Sequence, residues 1–294
     1  MAFQLKTAER ESLKLKIGIQ GPTGSGKTYS ALLMAYGICG DWEKVFFIDT
    51  ENKSATYYSS LGPFVHGDLN PPYSPEAYIE AITACEAAGA EVIVIDSMSH
   101  EWEGEGGCLE MADYETNRMQ RPNSYVAWGK VTPRHKKFVD RIRLSPVHVI
   151  CCSRSKMDYA IEKNEKGKNE IRKVGLKSIQ REGLEYEWGI VFELDMEHMA
   201  YAGKDRTGLF MDKPRHMITP DTGKKLLDWA NNGKDPEDEI YEGTDSQKVS
   251  FAKICELLGA HTQEEMRELS EHCLGKPISE LSGEIKLYMN TGGL

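Results

Sequence analysis

The sequence predicts an α/β fold: a mainly parallel sheet with crossover helices, followed by a small C-terminal α-helical appendage. Three observations carry this. Apolar runs that end in a polar or acidic residue recur at Leu15–Gln20, Val45–Asp49, Val92–Asp96, Val147–Cys152 and Ile190–Leu194, and strands covered on both faces need such runs. Stretches with helical apolar spacing lie between them. A glycine-rich segment, residues 21–28, joins the first run to the first helical stretch.

Taken in order, residues 13–20 alternate into a strand, and residues 27–38 have helix-forming composition. A second helix is predicted at 75–88, with Ser74 as N-cap and Pro75 at its first position, and a third at about 124–143. From Met199 to Ile218 short extended stretches alternate with turns, which suggests an antiparallel edge, and a helix follows from Pro220 to Ala230. Residues 231–246, NNGKDPEDEIYEGTDS, are acidic and aperiodic and read as a linker. Residues 247–294 carry two or three short helices, with Thr262-Gln263-Glu264-Glu265 as a capping box. The organisation expected is therefore a main domain at 1–230, a linker at 231–246 and a helical piece at 247–294.

A chain of 294 residues is long enough for one large domain with an appendage. Its net charge of −10 argues against a protein that coats nucleic acid over its whole surface. The seven cysteines include no C-x-x-C pair, and Cys151-Cys152 sit together in an apolar run. That usage points to reduced, mostly buried thiols and a cytoplasmic setting. The first sixteen residues lack an apolar signal core and no window approaches eighteen apolar residues, so neither secretion nor a membrane is expected.

Gly21-Pro22-Thr23-Gly24-Ser25-Gly26-Lys27-Thr28 satisfies G-x-x-x-x-G-K-[ST] between a strand and a helix. Glycines let backbone N–H groups turn inward around a phosphate chain, and the helix N-terminus behind them, opening at Lys27, Thr28 and Tyr29, adds partial positive charge. Lys27 is expected on the β- and γ-phosphates and the Thr28 hydroxyl on Mg²⁺. Val92–Asp96 is a buried strand ending in a carboxylate, which makes Asp96 the second metal-site residue. Val45–Asp49 ends in a tip that carries Asp49 and Glu51, either of which can orient an attacking water. The cofactors implied are ATP and Mg²⁺.

The order GPTGSGKT, FIDTE, VIVIDS resembles the RecA-like recombination ATPases, a P-loop NTPase core. The resemblance implies that Glu51 is the catalytic carboxylate and that Tyr58, with Tyr57 beside it, stacks on adenine. VHVICCSRSK is similar to the strand leading to the γ-phosphate sensor and the second DNA-binding loop, but Arg154 stands where that family carries glutamine. Ala202-Gly203-Lys204-Asp205-Arg206 is similar to the basic pair, here Lys204 and Arg206, that reaches a neighbouring subunit's nucleotide. DSMSHEWEGEGG, QREGLEYEWGIVFELDMEH and GKDRTGLF look more closely like phage-encoded members, including the Sak-four type of single-strand annealing protein. That implies recombination or annealing of single-stranded DNA in the host cytoplasm, a homo-oligomer with nucleotide at subunit interfaces, and a single-strand DNA-binding protein as partner.

Charge is segregated. Between Arg134 and Arg181 there are fourteen Lys/Arg against five Asp/Glu, while the rest of the chain has 22 against 41. Such a stripe is the footprint of a phosphate-backbone contact. Its centre, 157–174, reads as two strands around a turn, and the DNA-contacting cations expected from it are Arg154, Lys156, Lys163, Lys166, Lys168, Arg172, Lys173 and Lys177. Trp102 and Trp128 read as packing residues, Glu101, Glu103 and Glu105 are too loosely spaced for a metal site, and His135 reads as part of a basic helix face. Two other functions fit the phosphate loop: a small-molecule or nucleotide kinase, with the basic hairpin as its lid, and a nucleotide-dependent adaptor with little turnover.

Overall fold

A computed structural model describes residues 13–163, 169–231, 240–242 and 248–250, with side chains at 13–156 and 177–231. Residues 13–230 gather into one compact unit and the remainder into another. In the first, the sheet runs in the order β3 (Val65–Asp68), β2 (Val45–Asp49), β4 (Val92–Asp96), β5 (His148–Lys163), β1 (Lys16–Gly21), β7 (Ile190–Leu194), β8 (Ala200–Asp205). All these pairs are parallel except β7 with β8, so the mainly parallel sheet and its antiparallel edge are both present.

Helices α1 (Lys27–Cys39) and α6 (Pro220–Asn231) cover one face of the sheet, and α2 (Pro75–Ala87) and α5 (Ser124–Arg143) cover the other. Strand alternation divides the core between them: Val92 and Val94 pack under α1, while Ile93 and Ile95 pack under α2 and α5. The helix starts follow local chemistry. The Ser74 hydroxyl accepts the Ala77 N–H at 3.2 Å with Pro75 behind it, and Asn123 accepts the Val126 N–H at 3.3 Å at the head of α5. Arg134 holds Glu76 through two bonds, 2.8 and 2.7 Å, and Arg141 pairs with Glu86, so these cations of α5 are spent on α2.

Several elements lack the sequence signals used to find the rest. β3 is VHGD, exposed along its whole length, so it has no apolar run to announce it. Helices α3 (Ser99–Glu103) and α4 (Cys108–Asn117) bury only two residues each. β5 continues past its expected end at Cys152 because its partner changes: beyond Arg154 it leaves the parallel sheet and forms an antiparallel ribbon with β6 (Asn169–Ser178). In the second unit β9 (Ile240–Glu242) pairs with β10 (Lys248–Ser250), so strand pairing stands within the expected linker and at the start of the expected helical piece. The capping box at 262–265 lies outside the described residues. Among those described, Cys108, Cys151 and Cys152 are buried and free, Cys39 and Cys85 are half-buried and free, and no helix is long and apolar enough to cross a membrane.

Glycines set one contact that shapes the site. A Cβ on Gly37 of α1 would stand 1.9 Å from the Pro220 carbonyl oxygen, and one on Gly223 of α6 would stand 2.2 Å from the Met34 oxygen. Both clashes are with backbone, so neither can be relieved by a rotamer change. Gly37→Ala is expected to cost about 1 to 3 kcal/mol as α6 is pushed away. Gly129 of α5 has nothing within 4 Å of a built Cβ, so Gly129→Ala should be neutral or slightly stabilising. Urea denaturation of the two variants checks the pair, and equal stabilities would contradict the close approach.

Candidate functional site

The carboxyl ends of four parallel strands bring the chemistry together. Gly21 is in register with Arg154, and Asp96 with Asp49 on one side and Cys152 on the other. Parity does the rest. Phe47, Val94, Ile150 and Cys152 face α1, so Asp49, Asp96 and Arg154, each an even number of residues along, face α1 as well.

The loop between β1 and α1 turns through left-handed Gly24 and Gly26, at φ 86° and 87°, conformations that glycine adopts without steric cost. Buried Lys27 donates from Nζ to the Gly21 oxygen at 3.0 Å and the Pro22 oxygen at 2.9 Å. Thr28 Oγ1 donates to Asp96 Oδ2 at 2.6 Å. A hydroxyl and a carboxylate side by side are a hard-oxygen pair, and with the inward N–H groups of a helix start they fit Mg²⁺ with a phosphate chain. Burial pushes Asp96 up from 3.8 to about 6, against the lowering effect of the Thr28 bond; Glu51 adds to the rise and Lys27 opposes it.

Asp49 and Glu51 have different surroundings. Asp49 is buried and its two oxygens accept the Glu51 N–H at 2.7 Å and the Ala55 N–H at 2.8 Å, which shapes the turn after β2. Glu51 lines the pocket, and Arg154 grips its carboxylate with two bonds, Nε to Oε1 at 2.8 Å and a terminal nitrogen to Oε2 at 2.5 Å. Arg154, grouped by sequence with the DNA-contacting cations, thus turns into the pocket. Between the two carboxylates, the Thr50 hydroxyl accepts the Ser97 N–H at 2.8 Å and contacts the Ser97 oxygen at 3.1 Å, bracing the cis Asp96–Ser97 peptide. His100 Nδ1 lies 2.8 Å from the same hydroxyl.

The cavity above the loop measures about 620 Å³. One wall is apolar and aromatic: Tyr29, Leu33, Tyr58, Met217 and Ile218, with the Tyr29 and Tyr58 rings 6.0 Å apart at 48°. This suits a planar base. Tyr57 is 85% exposed and stands outside it, so of the two adjacent tyrosines only Tyr58 reaches the pocket. His198, Met217 and Ile218 carry no motif and were missed by the sequence. The α1–α6 approach delivers 217–219, and the β7–β8 turn delivers His198, whose ring would lie 3.2 Å from a Cβ on Gly26.

Other expected site residues lie elsewhere. Lys204 is paired across from Val191, which pairs in turn with Gly18, so it sits back from the loop toward the start of β1. Its Nζ donates to the Glu185 and Tyr186 oxygens at 3.0 and 2.7 Å, and Arg206 reaches the Tyr186 oxygen at 3.3 Å. Neither lines this chain's pocket. Lys156 and Lys177 are exposed at the root of the β5–β6 ribbon, and Lys177 lies 3.6 Å from Glu182. Lys166 and Lys168 are outside the described residues, as are the side chains of Lys163, Arg172 and Lys173.

A second group of titratable residues is fully interior. His135, expected on a basic surface, is instead buried, with Nδ1 3.0 Å from Glu101 Oε1; Cys108 donates to the same oxygen at 3.0 Å and Gln180 to Oε2 at 3.3 Å. The three ligand-type atoms lie within 4.8 Å of one another. The Cys108 thiol and the His135 imidazole are already used in bonds to the Glu101 carboxylate, so the group reads as a satisfied polar network tying α3, α4 and α5 together. Trp102 and Trp128 stack beside it at 5.4 Å, as packing residues.

The raised Asp96 has a consequence for stability. Its folded value of about 6 lies above the unfolded 3.8, so keeping it ionised costs the fold nothing below pH 3.8, and the full cost applies above about pH 6. Asp96→Asn is therefore expected to stabilise the protein by about 2 to 3 kcal/mol at pH 8, with the gain shrinking as pH falls through 6. Denaturation midpoints of both proteins across that range check this, and a gain independent of pH would contradict it.

No curated protein matches the chain. A family model described as an AAA domain matches residues 13–227, the stretch that holds every residue of the pocket. The chain belongs to this family of P-loop ATPases.

Proposed function

We propose that the protein hydrolyses MgATP in step with binding single-stranded DNA, in recombination or annealing. The observation that carries this reading is the joint placement of pocket and ribbon. β5 runs between the phosphate-loop strand and the Asp96 strand, contributes Arg154 to the pocket, and continues without a break into the antiparallel ribbon with β6. The Ile179 N–H closes the ribbon onto the Arg154 oxygen at 2.7 Å. From Lys156 to Arg181 the sequence has eight Lys/Arg against four Asp/Glu, which supports a phosphate-backbone contact. The excess is smaller than the whole stripe suggested, because Arg134, Arg141 and Arg143 are paired with Glu76, Glu86 and Asp140.

The residues divide the work by position. Backbone N–H groups of the loop and Lys27 would hold the phosphates, Thr28 and Asp96 the metal, and the Tyr58 wall the adenine. Bound Mg²⁺ supplies charge neutralisation at the terminal phosphate. Glu51 orients and polarises the attacking water, and Lys204 with Arg206, remote from this chain's own pocket, would act on a neighbour's nucleotide in a homo-oligomer. A host cytoplasmic setting and a single-strand DNA-binding protein as partner belong to the same reading.

The test is phosphate release with and without single-stranded DNA. Stimulation by DNA is expected, with binding that weakens steeply with salt; neutralising Lys166, Lys168, Arg172 and Lys173 together should flatten the log K against log salt slope by a few units at most. Acceptor-dependent loss of ATP without DNA stimulation would favour a kinase instead. Lys27→Ala should abolish nucleotide binding with the fold intact, whereas Glu51→Gln should bind and lose turnover by roughly 10²-fold or more. Mixing Arg206→Ala with Lys27→Ala protein should restore part of the activity, and no recovery in verified mixed assemblies would contradict action in trans.

A further inference from the structure

The β7–β8 turn, residues 195–199, is held together by one carboxylate. Asp195 Oδ1 accepts the Glu197 N–H at 2.9 Å and the Met199 N–H at 3.0 Å, Oδ2 accepts a guanidinium N–H of Arg215 at 3.0 Å, and the Asp195 N–H donates to the Met199 oxygen at 3.0 Å. At the exit of the turn Ala200 and His216 exchange backbone bonds of 2.7 and 3.0 Å. The turn is thereby tied at two points to the segment that runs into the apolar pocket wall at 217–219.

What this bracing displays is a histidine. His198 has φ 64°, in the left-handed region that a residue with a Cβ disfavours and glycine does not. Met196 lies over Gly24, 3.8 Å from a built Cβ, and the His198 ring lies over Gly26, 3.2 Å from one. Of the five turn residues only His198 lines the cavity. Among the described residues its ring makes no hydrogen bond, ion pair or ring contact, whereas Lys27 and Thr28 are engaged by oxygens of the protein itself. Sheet order decides which part of a nucleotide the ring would meet. β2, β4 and β5 bring Glu51, Asp96 and Arg154 from one side of β1, and β7 brings His198 from the other. The metal and the terminal phosphate belong on the carboxylate side. The ring stands instead beside the last glycine of a loop whose N–H groups cradle the α- and β-phosphates. An imidazole carries an N–H donor in either tautomer, and two when protonated, so it suits a phosphate oxygen.

We propose that His198 is a ligand of the α,β-diphosphate, closing the phosphate cradle from the β7 side. The proposal rests on the nucleotide reading of the pocket and adds to it a contact common to ATP and ADP, which holds substrate and product alike. Glycine at this position would relieve the turn, but the diphosphate would then have no side-chain donor from this side.

The experiment measures equilibrium affinity for ATP, ADP and inorganic tripolyphosphate, each with Mg²⁺, in wild type and His198→Gly, together with the urea midpoint of both proteins free of nucleotide. His198→Gly should weaken all three ligands by about five- to tenfold, the worth of one hydrogen bond to an anion. Its midpoint should be unchanged or higher, because relief of the left-handed conformation offsets the added freedom of the unfolded chain. Loss confined to ATP would put the ring at the terminal phosphate, and loss for ATP and ADP with tripolyphosphate unchanged would put it on the sugar or base; either overturns the diphosphate contact. A lowered midpoint would mark the ring as a brace of the turn and overturn it too. Binding by wild type with His198→Gly unchanged overturns the contact alone, whereas a wild type that binds none of the three overturns the nucleotide reading and the contact with it.

Discussion

The alignment of β1, β2, β4 and β5 is the constraint on which the rest of the molecule depends. Parallel pairing brings every carboxyl end to one edge, and period-two alternation assigns each side chain a face. A one-residue slip of β4 against its neighbours would move Asp96 to the α2 face and carry Ile93 and Ile95 under α1. The apolar residues of both layers oppose such a slip, so the core that stabilises the sheet also sets where Asp96 stands. Bringing the charged residues of the pocket together needs no dedicated scaffold beyond the packing of Val92, Val94, Ile150 and Cys152.

Within that frame the pocket is internally balanced. Lysine rests on carbonyls, threonine on aspartate, arginine on glutamate. At Asp96 burial works against the charge that a metal would require. The fold thus carries a local instability at a residue whose ionised form a metal would need, a common arrangement where function and stability compete. Asp49 shows the contrast: each of its oxygens accepts a backbone N–H of the turn it shapes.

Most of the sheet was legible because its strands are short apolar runs with polar ends, and the phosphate loop because its spacing is strict. Val45–Asp49, Val92–Asp96 and Ile190–Leu194 appear with the limits read from sequence. What was not legible depends on contacts between distant segments. Nothing near His135 announces that Glu101 will bury it, and nothing in KPRHMIT marks Met217 and Ile218 as pocket wall. Arg154 is the instructive case. By sequence its charge belongs to a surface stripe, and only the register with Gly21 and the reach of Glu51 show which way it points.

The glycine contact between α1 and α6 makes the apolar wall of the pocket a remote property. Pro220 begins α6 immediately after Met217, Ile218 and Thr219, and its carbonyl rests against Gly37. A directed-evolution library confined to the pocket lining would therefore miss a control on the shape of that wall that sits near the C-terminal end of α1. A methyl group at Gly37 would retract that wall with no residue in the cavity having changed.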